Sequence, residues 1–211
     1  PPLSPSSLPS GMPTSMPSLY PTSSHPTTPA PTLYPTFDGD AGTYNSDFES
    51  FNSDADVSAD GIWKTGANYN AFIRQSGSTP TGNTGPSSAF SGDYYLFCET
   101  SGSNNPGVGF DLQTYRFDQD ITSVSFSYSA YGAHMGTVQL QASDDASSWS
   151  TLWSKSGNMG DAWSSASLSV DGYAYLRFYY VSGSGYYGDF ALDDITIYSA
   201  SMSPTLSPTS T

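Results

Sequence analysis

A single cysteine, Cys98, stands in the whole sequence, so no disulfide can close within the chain and the fold must be held by packing. Basic residues are nearly as scarce, five Lys and Arg against 19 Asp and Glu, for a formal charge of −14. Binding nucleic acid takes cations that displace counterions from phosphates, so nucleic acid is excluded as a partner class. Only two histidines occur, His25 and His134, and no HExxH, GxSxG or Cys/His metal spacing accompanies them. A Ser-His-Asp arrangement would rest on His134 alone, in a glycine-rich stretch that reads as a solvated loop. No run of 18 apolar residues exists and no hydrophobic signal core opens the chain. A soluble fragment or mature form, with no membrane insertion in this segment, is therefore expected. The Asn-x-Ser/Thr sequon is missing too, so any sugar should be O-linked.

What is present falls into two textures. The first 36 residues hold eleven prolines and no charged side chain, with Pro at 1, 5, 9, 13, 17 and 21. Proline every fourth residue removes amide donors and fixes φ, and the intervening Ser and Thr bring no apolar surface to bury. Residues 1–36 are expected to form a polyproline II stalk, reaching on the order of 110 Å at ~3.1 Å per residue. Its composition reads as mucin-like, with O-glycans expected on Ser4, Thr14, Thr22 and Thr27. The same texture returns with Pro204 and Pro208, so 201–211 reads as the start of a second linker, with Ser203 and Thr205 as further acceptors.

Residues 37–200 change to period two. Val124, Phe126, Tyr128 and Ala130 alternate with Ser123, Ser125, Ser127 and Ser129, apolar on one face and hydroxyl on the other. Three further runs behave alike: Val138 to Ala142, Ala166 to Val170, and Ala174 to Tyr180. Clusters of Gly, Ser and Asp separate them, at 132–136, 143–148, 156–161 and 182–188. About ten half-buried strands need a second sheet to cover each apolar face, which predicts an all-β, two-sheet antiparallel sandwich.

Several ordered strings carry a resemblance. They are Phe48-Glu49 in a first strand, Gly61-Ile62-Trp63, the turn Thr84-Gly85-Pro86-Ser87-Ser88, Tyr94 to Phe97 followed by Glu99, and Val124 to Tyr128. Leu152-Trp153, Trp163, Leu176-Arg177-Phe178 and a terminal string from Gly185 to Ile195, GYYGDFALDDI, follow in order. In this order the chain resembles the MAM family of extracellular adhesion-type jelly-roll modules. The resemblance implies a non-catalytic module whose partners are other extracellular proteins or a second copy of itself, secreted or at the cell surface. It departs from animal members in holding other residues where they usually carry disulfide-forming cysteines, and in holding Ala89 where an acidic residue often follows the turn.

The candidate sites follow from the acidic and aromatic residues. Asp outnumbers Glu by 17 to 2, and short carboxylates in turns are ligands for hard cations. The resemblance pairs the first strand with the last, which would bring Glu49 to Asp193 or Asp194 as a calcium site. The competing reading has Glu49 and Asp193 accept hydrogen bonds from turn amides or from Arg177. Asp193-Asp194 and Asp144-Asp145 do not suit glycoside hydrolysis, because neighbours in a regular strand point to opposite faces. Tyr131 and Tyr186 sit in loops where a ring could stack on a pyranose, which makes a carbohydrate-binding module the rival function. An architectural subunit of a surface appendage is the third. Gly188 is read as permitting a close approach before the last strand, Trp153 and Trp163 as inter-sheet core, and Cys98 as either a buried small hydrophobe or an intermolecular thiol. Arg74, Arg116 and Arg177 are scarce cations for which an ion pair is expected.

Overall fold

The computed structural model describes residues 42–50 and 61–200. The expectations for the stalk and for 201–211, including every proposed glycan acceptor, lie outside them. The described residues form eleven strands and no helix. In chain order these are β1 (Thr43–Ser46), β2 (Trp63–Lys64), β3 (Ile73–Ser76), β4 (Tyr94–Phe97), β5 (Gly109–Thr114) and β6 (Ile121–Ala130). They continue with β7 (Thr137–Ser143), β8 (Ser150–Ser156), β9 (Ser164–Tyr173), β10 (Tyr175–Val181) and β11 (Phe190–Ser199). The four alternating runs read from the sequence become β6, β7, β9 and β10.

Two sheets stack as the alternation requires. One runs β3-β4-β11-β6-β9 with β1 also on β11, the other β2-β5-β10-β7-β8, and every ladder between named strands is antiparallel. Because inward positions recur every second residue, Val124 and Phe126 of β6 meet Leu176 and Phe178 of β10 in one buried cluster. Trp63 is wholly buried there, its Nε1–H donating to Ser46 Oγ at 2.7 Å. The first and last strands do pair, Ser46 opposite Ile195.

Four expectations need correction. Phe48 and Glu49 lie beyond the end of β1, in a turn where Phe48 takes φ 60°. Trp163 is not between the sheets: it joins Tyr95, Phe97, Ala191 and Ala89 in a second, smaller cluster. There its indole donates to the Ser88 carbonyl at 3.0 Å and meets Tyr95 edge-on. The outer face of the first sheet is therefore covered near β4 and β11 by the loop after β3, and Ser129, opposite Ala191, is buried on that side although its alternation marked it as solvated. His134, also read as solvated, is half-buried against Tyr186 and Tyr187.

Candidate functional site

The loop over the second cluster is held by the residues expected to bind calcium. Glu49 Oε1 accepts from the amides of Asp93 and Tyr94 at 2.9 and 2.8 Å. Asp193 Oδ2 accepts from the amides of Phe90 and Ser91 at 2.9 and 3.2 Å, and Asp194 Oδ1 takes the Ser91 hydroxyl at 2.8 Å. Three carboxylates from β11 and the turn after β1 thus converge on residues 90–94. A bulge makes this possible. The β11–β6 register shifts between Asp193 and Thr196, and Asp194 sits in the left-handed region at φ 47°. The extra residue breaks the alternation, so two neighbouring carboxylates reach the same loop where a regular strand would splay them. The opposite-faces expectation for this pair is corrected accordingly.

Arg74 completes the latch from the other side. Its guanidinium donates to the carbonyls of Phe48 at 2.6 Å and Glu49 at 3.1 Å, and stacks 3.3 Å from the Tyr94 ring. Burial pushes the Asp193 carboxyl up to about 6, because loss of water outweighs the three amides that favour its charged form. Among the described residues, no three His, Cys, Asp or Glu side chains are grouped as a ready metal centre.

At the opposite end of the sheet a second buried carboxylate ties loops together. Asp189 Oδ1 accepts from the Thr100 amide and hydroxyl at 3.0 and 2.9 Å, while its own amide donates to Thr84 Oγ1 at 2.8 Å. Thr84 in turn donates to the Tyr131 carbonyl. Burial raises the Asp189 carboxyl to about 6, with the nearby Glu99 charge adding to the shift and the Thr100 bonds opposing it. The Tyr180 hydroxyl accepts from the Gly136 amide at 2.9 Å and donates to the Gly188 carbonyl, and a Cβ on Gly188 would meet the His134 carbonyl at 2.8 Å. The close approach expected of Gly188 is found.

These bonds fix the loops that carry the two candidate sugar-binding rings. Tyr131 lines a shallow cavity of about 260 Å³ with the turn 78–87. Tyr186 is 47% exposed, its ring centroid 4.2 Å from Tyr187 and 6.1 Å from His134. The His134 amide donates to the Tyr187 carbonyl, so the two loops are pinned to each other.

Several other acids and cations hold local structure. Arg177 donates to Gln141 Oε1 at 2.6 Å and lies 3.8 Å from Asp111 Oδ1, while Asp111 Oδ2 takes the Gly66 amide. Arg116 pairs with Asp118 at 3.0 Å on the surface. Asp145 caps the turn before β8 through the amides of Ser147 and Ser148. Cys98 is free and wholly buried, and burial pushes its thiol well up, the state of an inert small hydrophobe. Sequence reading passed over Asp189 and Asp111, and named Arg74 only as a scarce cation expected in an ion pair. Nothing in the sequence marked Asp111, because the residue between Phe110 and Leu112 falls on the face that alternation assigns to solvent.

Removing Asp193 tests the latch. Asp193→Ala leaves the amides of Phe90 and Ser91 without their acceptor, a cost of about 1–3 kcal/mol. Amide exchange at 90–94 should speed up while β6 and β10 stay protected; unchanged exchange in the loop would show that the Trp163 contacts hold it unaided.

A family model described as MAM domain, meprin/A5/mu matches residues 48–201. The MAM domain-containing glycosylphosphatidylinositol anchor protein 1 of Rattus norvegicus is 36% identical over 124 residues, covering 54% of this chain and 13% of that protein. The corresponding protein 2 of Mus musculus is 31% identical over 134 residues, covering 56% and 14%. The chain thus spans about a seventh or less of the curated relatives it matches. Among solved structures, the K2 cleaved adhesin domain of Lys-gingipain aligns with TM-score 0.54 at 14% identity, covering 74% of this chain and 99% of that one. The K1 domain from Porphyromonas gingivalis W83 gives 0.54 at 18%, covering 76% and 99%. At such identity the likeness is one of fold.

Proposed function

Because the chain belongs to the MAM family through residues 48–201, we propose that it is a non-catalytic extracellular module that binds another protein surface, a second copy included. It would be displayed at the cell surface or in the matrix on its O-glycosylated proline-rich arms. The observation that carries the reading is what the acids do: Glu49, Asp193, Asp189 and Asp111 each hold a loop amide, which leaves recognition to surface shape. The relatives, named as glycosylphosphatidylinositol-anchored, favour a surface location. Beads coated with the full chain test it. They should aggregate with one another or bind cells displaying a partner; beads that remain dispersed and bind no cell surface would remove the adhesion reading.

Calcium is proposed at the latch, with Glu49, Asp193 and Asp194 supplying carboxylate oxygens and carbonyls completing the shell. In support, the three side chains reach one short loop from the turn after β1 and from β11. An ion that binds only the folded state adds about 2.7 kcal/mol at a hundredfold excess over Kd. Chelator should then lower the melting temperature, and Glu49→Gln should abolish the difference. A curve that does not move would mean that amides alone satisfy these groups.

A second reading, glycan binding, is favoured by exposed Tyr186 and by the Tyr131 cavity. A glycan array separates it from adhesion.

A further inference from the structure

The terminal strand β9 of the first sheet lacks, over residues 164–170, the devices that keep a sheet edge from pairing. A terminal strand presents a row of unpaired amides and carbonyls, and proteins blunt it with lysine, proline, bulges or short length. β3 at the far end of the same sheet has four residues, and β8 carries Lys155. β9 has ten residues, reads Ser-Ser-Ala-Ser-Leu-Ser-Val over 164–170 with neither charge nor proline, and pairs regularly with β6 from Ser164 to Ser169. Its only irregularity lies beyond that stretch, toward Asp171 and Gly172. Among the described residues, no strand lies on its outer edge.

A second observation points to the same side. Ala166 and Leu168 face the core yet stay half-buried, as do Leu152 and Trp153 of β8. β8 lies under the same margin, since Trp153 touches Phe126 and Tyr128, which pair with Ala166 and Ser164 of β9. The margin therefore combines unsatisfied backbone with an apolar seam open to water.

We propose that β9 pairs antiparallel with β9 of a second copy about a dyad at Ser167, joining the two first sheets into one. This rests on the self-contact half of the function proposed above. The pattern is self-complementary. A dyad at Ser167 sets Ser165 opposite Ser169 and Ala166 opposite Leu168, so over 165–169 hydroxyl meets hydroxyl on the outer face and apolar meets apolar on the inner. Charge favours this place over others, because two chains of −14 repel and meet most readily along an uncharged strand. Added salt screens that repulsion and should strengthen the pair, where an interface of ion pairs would weaken.

Sedimentation equilibrium of the full chain tests the proposal. The expected result is a dimer that tightens with salt. Ser167→Glu, which sets two carboxylates face to face across the dyad, should weaken it at least about tenfold while the melting temperature holds within a few degrees. Ser125→Glu, on the same face but one strand inward, should leave the dimer intact. A wild-type monomer at every accessible concentration would overturn both this pairing and the self-contact reading, while adhesion to other partners would still be read from the beads. A dimer untouched by Ser167→Glu, or lost equally in Ser125→Glu, would overturn the edge pairing alone.

Discussion

Acidifying the protein from about pH 7.5 to about pH 4.5 is expected to raise its melting temperature by roughly 10 °C. Most folded proteins lose stability over this range because their carboxylates are better solvated or paired when folded. Here Asp189 and Asp193 are wholly buried and their carboxyls are pushed up to about 6. Between the unfolded value of ~3.9 and about 6, the folded state holds more protons than the unfolded one, so stability grows as pH falls and is lost as pH rises through 6. Each group contributes on the order of 2 kcal/mol, and Asp111, raised by burial, acts with the same sign. Asp145 acts oppositely: the amides of Ser147 and Ser148 hold its carboxyl well below the usual carboxylate range, so its contribution is lost only at the acid extreme. Asp189→Asn should flatten the profile by about half, because the amide keeps an acceptor for Thr100 but cannot ionise. A melting temperature that falls steadily from about pH 7.5 to about pH 4.5 would show both buried carboxylates to be solvated by water in the folded protein.

The sheets were legible because period two is a property of the strand itself: Val124, Phe126, Leu176 and Phe178 could face only one way, and they are the core. The candidate site was legible in part. The family resemblance brought Glu49 to the vicinity of Asp193, and the competing reading, turn amides as their partners, describes the bonds that Glu49 and Asp193 make. What alternation could not give is which outer face a loop covers. Ser129 and Trp163 both follow strand-like spacing, yet they lie beneath or beside the loop after β3, a tertiary fact with no local period. The bulge at Asp194 was hidden for a related reason. One extra residue leaves the composition of β11 unchanged but reverses the side on which a carboxylate emerges, and only the pairing with β6 reveals it. Asp189 was passed over because a buried acid in a short apolar string is indistinguishable from an exposed turn residue until its partners, Thr100 and Thr84, arrive from far along the chain.

Phe126→Ala is expected to cost about 3–5 kcal/mol and to lower the melting temperature by roughly 10–15 °C. Phe126 is 2% exposed at the centre of β6 and bridges the two sheets. Its ring lies edge-on to Phe178 at 4.8 Å and to Trp153 at 5.1 Å, both from the opposite sheet. Truncation removes the transferred apolar area, leaves a cavity that two flanking rings cannot fully close, and forfeits two edge-to-face contacts of about 0.5–1.5 kcal/mol each. No disulfide supports the chain against this loss, because Cys98 has no partner within it. Against a typical stability of about 5–15 kcal/mol, a third or more of the total would go. Phe126→Leu keeps most of the volume and should cost about half as much. Ser125→Ala, one residue away on the outer face, should stay within about 0.5 kcal/mol. Since Phe126 pairs with Ala166, the truncation should also loosen β9 and weaken any dimer formed along it, whereas Ser125→Ala should not. Chemical denaturation of the three variants decides the matter: a Phe126→Ala midpoint close to wild type would mean that the cohesion of the sandwich lies away from the β6–β8–β10 rings.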